Sequence, residues 1–80
     1  MTRSVFSPAY QRLRDWLVDA RHARSLTQAQ IANTLGRPQT FVSKYERGER
    51  RLDFVEVLEI ADALHVDVRD LVTELMPPAR

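Results

Sequence analysis

Residues 27–48 read TQAQIANTLGRPQTFVSKYERG, and their spacing is that of two short helices crossing at a tight turn. Gln28, Ala32, Gly36 and Val42 fall at the first, fifth, ninth and fifteenth places of a twenty-residue window, with Ile31, Leu35 and Tyr45 apolar where the chain must face inward. Ala32 is small where the crossing helices approach closely. Gly36 can take the left-handed conformation that ends the first of them. Arg37 precedes a proline and is pushed out of the α region, so the next helix begins at or after Pro38, whose ring presets a first helical turn.

Outward from this stretch, the chain reads as helices throughout. Ser7-Pro8 sets a capping hydroxyl before a proline, and Tyr10, Leu13, Leu17, Ala20 and Arg24 follow on one stripe, which predicts a first helix from about Pro8 to His22. Thr27 and Gln30 form a capping box that opens a second helix ending near Leu35. The third runs from about Gln39 to Glu46 and stops near Arg47-Gly48. Asp53-Phe54-Val55-Glu56 is an acidic capping box for a fourth, which ends at Leu64 or His65, with Phe54, Val57, Leu58, Ala61 and Leu64 as its apolar face. Asp67 caps a short fifth helix carrying Leu71, Val72 and Leu75 on one side, and Met76-Pro77-Pro78 terminates it. No β-hairpin signal, repeat or linker interrupts the series. The expected organisation is a mobile N-terminal arm over 1–6, one domain over 7–76 and a short tail over 77–80.

Eighty residues make one domain, and a domain of that size buries only about 60–65% of its unfolded surface, so dimerisation would help it. With no cysteine there is no disulfide framework, thiolate zinc site or thiol nucleophile. The N-terminus lacks the apolar run of a signal peptide, and no stretch has the length of a membrane span, so a cytoplasmic protein with no membrane partner is expected. The net charge of +1 conceals a division: residues 1–51 carry +6 and residues 52–80 carry −5. One half attracts polyanions and the other repels them, a polarity that orients a protein on nucleic acid before specific contacts form. The plainer account is that acidic helix starts collect in the second half.

Together, Leu26-Thr27-Gln28, the turn itself, Val42-Ser43, Tyr45-Glu46-Arg47-Gly48 and Ile60-Ala61-x-Ala63-Leu64 resemble the Cro/repressor-type, or XRE-like, helix-turn-helix regulators, over about Leu13 to Leu75. The resemblance implies an all-α fold, a compact five-helix bundle of the lambda-repressor-like type, in which the third helix enters the major groove of double-stranded DNA and the second lies across the backbone. Three features depart from the family pattern. Arg37-Pro38 leaves no side-chain oxygen at Pro38 to cap the third helix, His65 stands where a glycine usually follows the fourth, and the MTRSVF arm has no counterpart.

On a helical wheel Gln39, Thr40, Ser43, Lys44 and Arg47 share the outward face of the third helix, while Val42, Tyr45 and Glu46 point inward. By resemblance the start of this helix reads bases. Gln39 suits adenine N6/N7, Lys44 suits guanine O6/N7, and the Thr40 methyl suits a thymine methyl; otherwise the three form a solvated polar face. By the same resemblance, backbone contacts fall to Gln28, Ser43, Arg47, Arg50 and Arg51, with Gln28 also expected to buttress Gln39; Arg50 and Arg51 are either phosphate clamps or plain loop cations. Phe41 sits at the edge between groove and core, where packing is the expected role. The family often pairs an arginine near the end of the first helix with the glutamate of the third, so Arg21 and Glu46 are expected to bond.

An enzyme reading lacks a constellation: His22 and His65 have no metal-ligand spacing, and caps and exposed faces account for the carboxylates. No cofactor, metal or small-molecule ligand is expected. The resulting function is a DNA-binding transcriptional regulator, a repressor acting by occlusion as a homodimer on a palindromic operator. The surplus apolar residues of the fifth helix and the end of the fourth, Val68, Leu71, Val72, Leu75 and Met76, are the candidate dimer interface. The alternative is an antitoxin or protein-interaction module of the same fold that autoregulates its operon.

Overall fold

The computed structural model describes residues 7–76. The expected arm over 1–6, the tail over 77–80 and the Pro77-Pro78 stop lie outside the described residues. Five helices follow in order, α1 (Pro8–Ala23), α2 (Gln28–Leu35), α3 (Gln39–Arg47), α4 (Phe54–Ala63) and α5 (Val68–Leu75), and there is no strand among the described residues. None of the helices described is long and apolar enough to cross a membrane.

Each start is set by local chemistry. Ser7 Oγ accepts the Tyr10 N–H, and complete capping boxes, Thr27 with Gln30 and Asp53 with Glu56, open α2 and α4. Asp67 accepts the N–H of Arg69 at α5. The exception is α3: Pro38, extended at ψ 152°, takes the capping position with no side-chain bond, so the proline precedes the helix instead of forming its first turn.

A single device ends four of the helices. A left-handed residue follows each, and the next N–H reaches back five residues to a carbonyl: Leu26 to Arg21, Arg37 to Ala32, Glu49 to Lys44 and Val66 to Ala61, at 2.8–3.1 Å. The left-handed residues are Ser25, Gly36, Gly48 and His65, so two of the four turns are made without glycine. Leu26 and Val66, immediately after Ser25 and His65, then pack against the core, completing the hydrophobic contact such turns favour.

The core joins Leu13 and Leu17 of α1, Ile31 and Ala32 of α2, Val42 and Tyr45 of α3, Ile60 and Leu64 around α4, and Leu71 of α5. Tyr10 ties α1 to the segment after α3, since its hydroxyl accepts the buried Leu52 N–H at 2.9 Å. Two expected faces need correction. The buried side of α4 is Glu56, Val57, Ile60, Ala61 and Ala63, while Phe54 is 70% and Leu58 37% exposed. Arg24 lies beyond the end of α1, exposed, and donates to the His65 carbonyl instead of extending the apolar stripe.

Candidate nucleic-acid interface

Three buried side chains, Phe41, Val42 and Tyr45, anchor α3, and its opposite face is open: Gln39, Thr40, Lys44 and Arg47 are exposed. Ser43 is half-buried and its hydroxyl donates to the Thr40 carbonyl, which ties it to its own helix. Burial raises the Tyr45 phenol well above its ordinary pKa, so it stays neutral at any physiological pH.

A glutamate secures each flank of this helix. On the Gln39 side, Arg21 grips Glu46 at two points, Nε to Oε2 at 2.7 Å and Nη2 to Oε1 at 2.9 Å, with the side chains only 12% and 8% exposed. Gln28 Nε2 donates to the same Oε1 at 2.8 Å, so its partner on α3 is Glu46 and not Gln39. Arg14, one α1 heptad before Arg21, donates through Nη1 to the Glu46 carbonyl at 3.0 Å, and its Nε is buried without a hydrogen-bond partner. A Cβ on Gly48 would lie 2.8 Å from that guanidinium, so the glycine here serves both the turn and the arginine.

On the other flank stands Phe41, edge-on to Tyr45 at 5.4 Å, with the guanidinium carbons of Arg37 and Arg50 at 4.2 and 4.8 Å from its ring centroid. Glu56 holds both arginines, Oε2 to Arg37 Nη2 at 3.2 Å and Oε1 to Arg50 Nη1 at 2.9 Å, while Oε1 also accepts the Asp53 N–H. The hydrogen bond from Arg50, helped by that N–H and by the charges of both arginines, keeps the Glu56 carboxyl below its ordinary pKa despite burial.

The remaining cations are looser. Arg47 pairs with Glu49 at 3.0 Å, both half exposed, a contact worth little in water. Arg51 is exposed beside the Tyr10 ring, 5.7 Å from its centroid. Among the described residues no group of three or more His, Asp or Glu side chains could hold a metal ion.

The surface of α5 differs from expectation. Leu71 is 3% exposed and belongs to the core, so it has no face to offer a second copy; Val68 and Leu75 are half-buried, and only Val72 and Met76 are open. At the end of α4 the apolar residues Ala61, Ala63 and Leu64 are likewise buried, while Asp62 is exposed. Further exposed apolar surface lies on α4, at Phe54, Val55 and Leu58, and Phe54, Val57, Val68 and Val72 help line a groove of about 270 Å³.

Sequence reasoning missed Arg14, Arg37 and Glu56. Arg14 could have been found seven residues before Arg21, on the same α1 face. Glu56 was legible as part of a capping box, but its partner Arg37 is remote in sequence.

Two short helices crossing at a glycine turn, the second braced on both flanks with a polar face turned outward, define a helix-turn-helix scaffold. The helix-turn-helix domain family matches residues 12–75. An XRE-family like protein from Pseudomonas syringae pv. tomato has a solved structure that superposes with a TM-score of 0.83 at 44% identity, covering 89% of this chain and 91% of that one. The cryptic phage CTXphi transcriptional repressor RstR of Vibrio cholerae serotype O1 is 35% identical over 60 residues, 75% of this chain. The chain spans 54% of that repressor's length. It belongs to the XRE-like family of helix-turn-helix transcriptional regulators.

Proposed function

We propose that the protein is a sequence-specific double-stranded DNA-binding repressor that acts in the cytoplasm as a homodimer on a palindromic operator. The observation that carries this reading is the open polar face of α3, held rigidly by Glu46 on one flank and Phe41 on the other. A side chain that reads a base edge must be placed to within about half an ångström, and bracing of the helix supplies that precision.

Gln39, Thr40 and Lys44 are the base readers in this account. Gln28, Ser43, Arg47, Arg50 and Arg51 address the backbone and fix register without carrying sequence information. The resemblance to a phage transcriptional repressor supports repression, and occupancy of a promoter by a domain of this size is a sufficient mechanism. The second copy docks through the exposed apolar residues beside the groove, Phe54, Val72 and Met76. A two-fold contact there covers apolar surface, keeps the acidic half central and sets two basic heads toward successive major grooves about 34 Å apart.

Selection of bound sequences from a random duplex library by the purified protein tests the reading. The expected result is a palindromic consensus. Recovery of unenriched sequence would overturn sequence-specific binding, and an asymmetric single site would overturn the dimer.

A further inference from the structure

The Arg37–Phe41–Arg50–Glu56 cluster contains two guanidiniums and one carboxylate, so its net charge is a single positive unit. The carboxylate lies inside at 9% side-chain exposure, while the arginines that cover it remain 35% and 39% exposed. Phe41 lies about 60° around the helix from Lys44, so the cluster borders the reading face directly. Arg37 occupies the turn immediately before α3 and Arg50 follows α3 in the chain, yet both guanidiniums converge on the ring of Phe41, in the first turn of the recognition helix.

We infer that Arg37 and Arg50 form a preorganised site for one backbone phosphate of DNA, and that Glu56 is the positioning residue that aims both arginines and masks one of their two charges. The inference rests on the DNA-binding reading above. Arg37 and Arg50 reach the site already fixed, stacked on Phe41 and bonded to opposite oxygens of one carboxylate, so little side-chain entropy remains to be lost on binding. The mask limits the sequence-independent part of affinity. Two unmasked arginines would hold any duplex more tightly and narrow the margin by which an operator exceeds other DNA. A buried carboxylate with no partner would be costly, and each arginine therefore also holds Glu56 in its ionised form.

The test is the slope of log affinity against log salt for a mixed-sequence duplex of about two helical turns, which counts the phosphates neutralised. Arg37→Ala is expected to reduce the slope by about one and to weaken binding roughly five- to tenfold at low salt. Glu56→Gln keeps the shape and the Asp53 cap while removing the mask, and it is expected to steepen the slope by about one and to tighten binding to mixed-sequence DNA. The double variant Arg37→Ala/Glu56→Gln returns toward the wild-type slope, a compensation that a merely structural role would not produce. Arg69→Ala, a cation paired with Asp67 at the start of α5, serves as a control with unchanged slope.

If Arg37→Ala and Glu56→Gln lower the thermal midpoint but leave the slope unchanged, the cluster is structural cement and the inference is overturned. Weaker binding of Glu56→Gln to mixed-sequence DNA at a wild-type slope would refute the mask. Should Glu56→Gln fail to fold, Arg37→Ala, which leaves the Arg50–Glu56 bond intact, decides the phosphate site alone. A wild-type protein that binds no duplex would instead sink the DNA reading itself, a result separable from failure of Arg37 in a protein that binds.

Discussion

Gly36 and Gly48 take similar left-handed conformations, at φ 68° and 79°, yet they are not equivalent. Nothing lies within 4 Å of a Cβ built on Gly36, so Gly36→Ala is expected to cost about 1–2 kcal/mol from the backbone alone. Gly48→Ala meets the Arg14 guanidinium as well and should cost more, with a loss of DNA affinity that Gly36→Ala lacks; chemical denaturation beside binding separates the two. His65 makes the same turn with a side chain, so His65→Gly is expected to stabilise by about 0.5–1 kcal/mol, the relief of strain exceeding the added freedom of the unfolded chain. An unchanged or lower unfolding midpoint would contradict that. Glu56 sets a pH dependence: its pKa is lower folded than unfolded, so its contribution is complete above the ordinary value of 4.5 and is lost as pH falls through the folded value. Glu56→Gln should therefore flatten the acid limb of a stability profile below that pH.

At the scale of elements, α1 acts on α3 through Arg21 and Arg14, and the bond to Glu46 is two-pointed and nearly buried. A double-mutant cycle with Arg21→Ala and Glu46→Ala is expected to give a coupling of about 1–3 kcal/mol in stability. Strict additivity would show that the two charges act alone. Helix ends were legible in the sequence to within one or two residues because caps, prolines and glycines act locally; the Thr27–Gln30 and Asp53–Glu56 boxes are both present. The face of α4 was not, because apolar residues occur on nearly all its sides and periodicity could not choose between Leu58 and Ile60. The Arg21–Glu46 bond could be anticipated from family resemblance alone. Arg37–Glu56 was invisible, since neither local chemistry nor spacing joins a turn arginine to a helix start nineteen residues later.

For the whole molecule, the apolar residues left open at Phe54, Val55, Val72 and Met76 lie at the start of α4 and along α5 to its C-terminal end. Sedimentation at micromolar concentration is expected to show a dimer that Phe54→Ser with Val72→Ser converts to monomer without unfolding; a wild-type chain that stays monomeric with and without DNA contradicts the two-fold account. The central claim remains that the braced face of α3 reads bases. Its most direct test is to repeat the random-duplex selection with Lys44→Ala beside the wild type. The account predicts a wild-type palindrome and, for the variant, lost preference at one base position in each half-site with the other positions retained, at a cost of about 1–3 kcal/mol on the original site. A variant that returns the same consensus, or loses affinity equally for selected and random DNA, would contradict it.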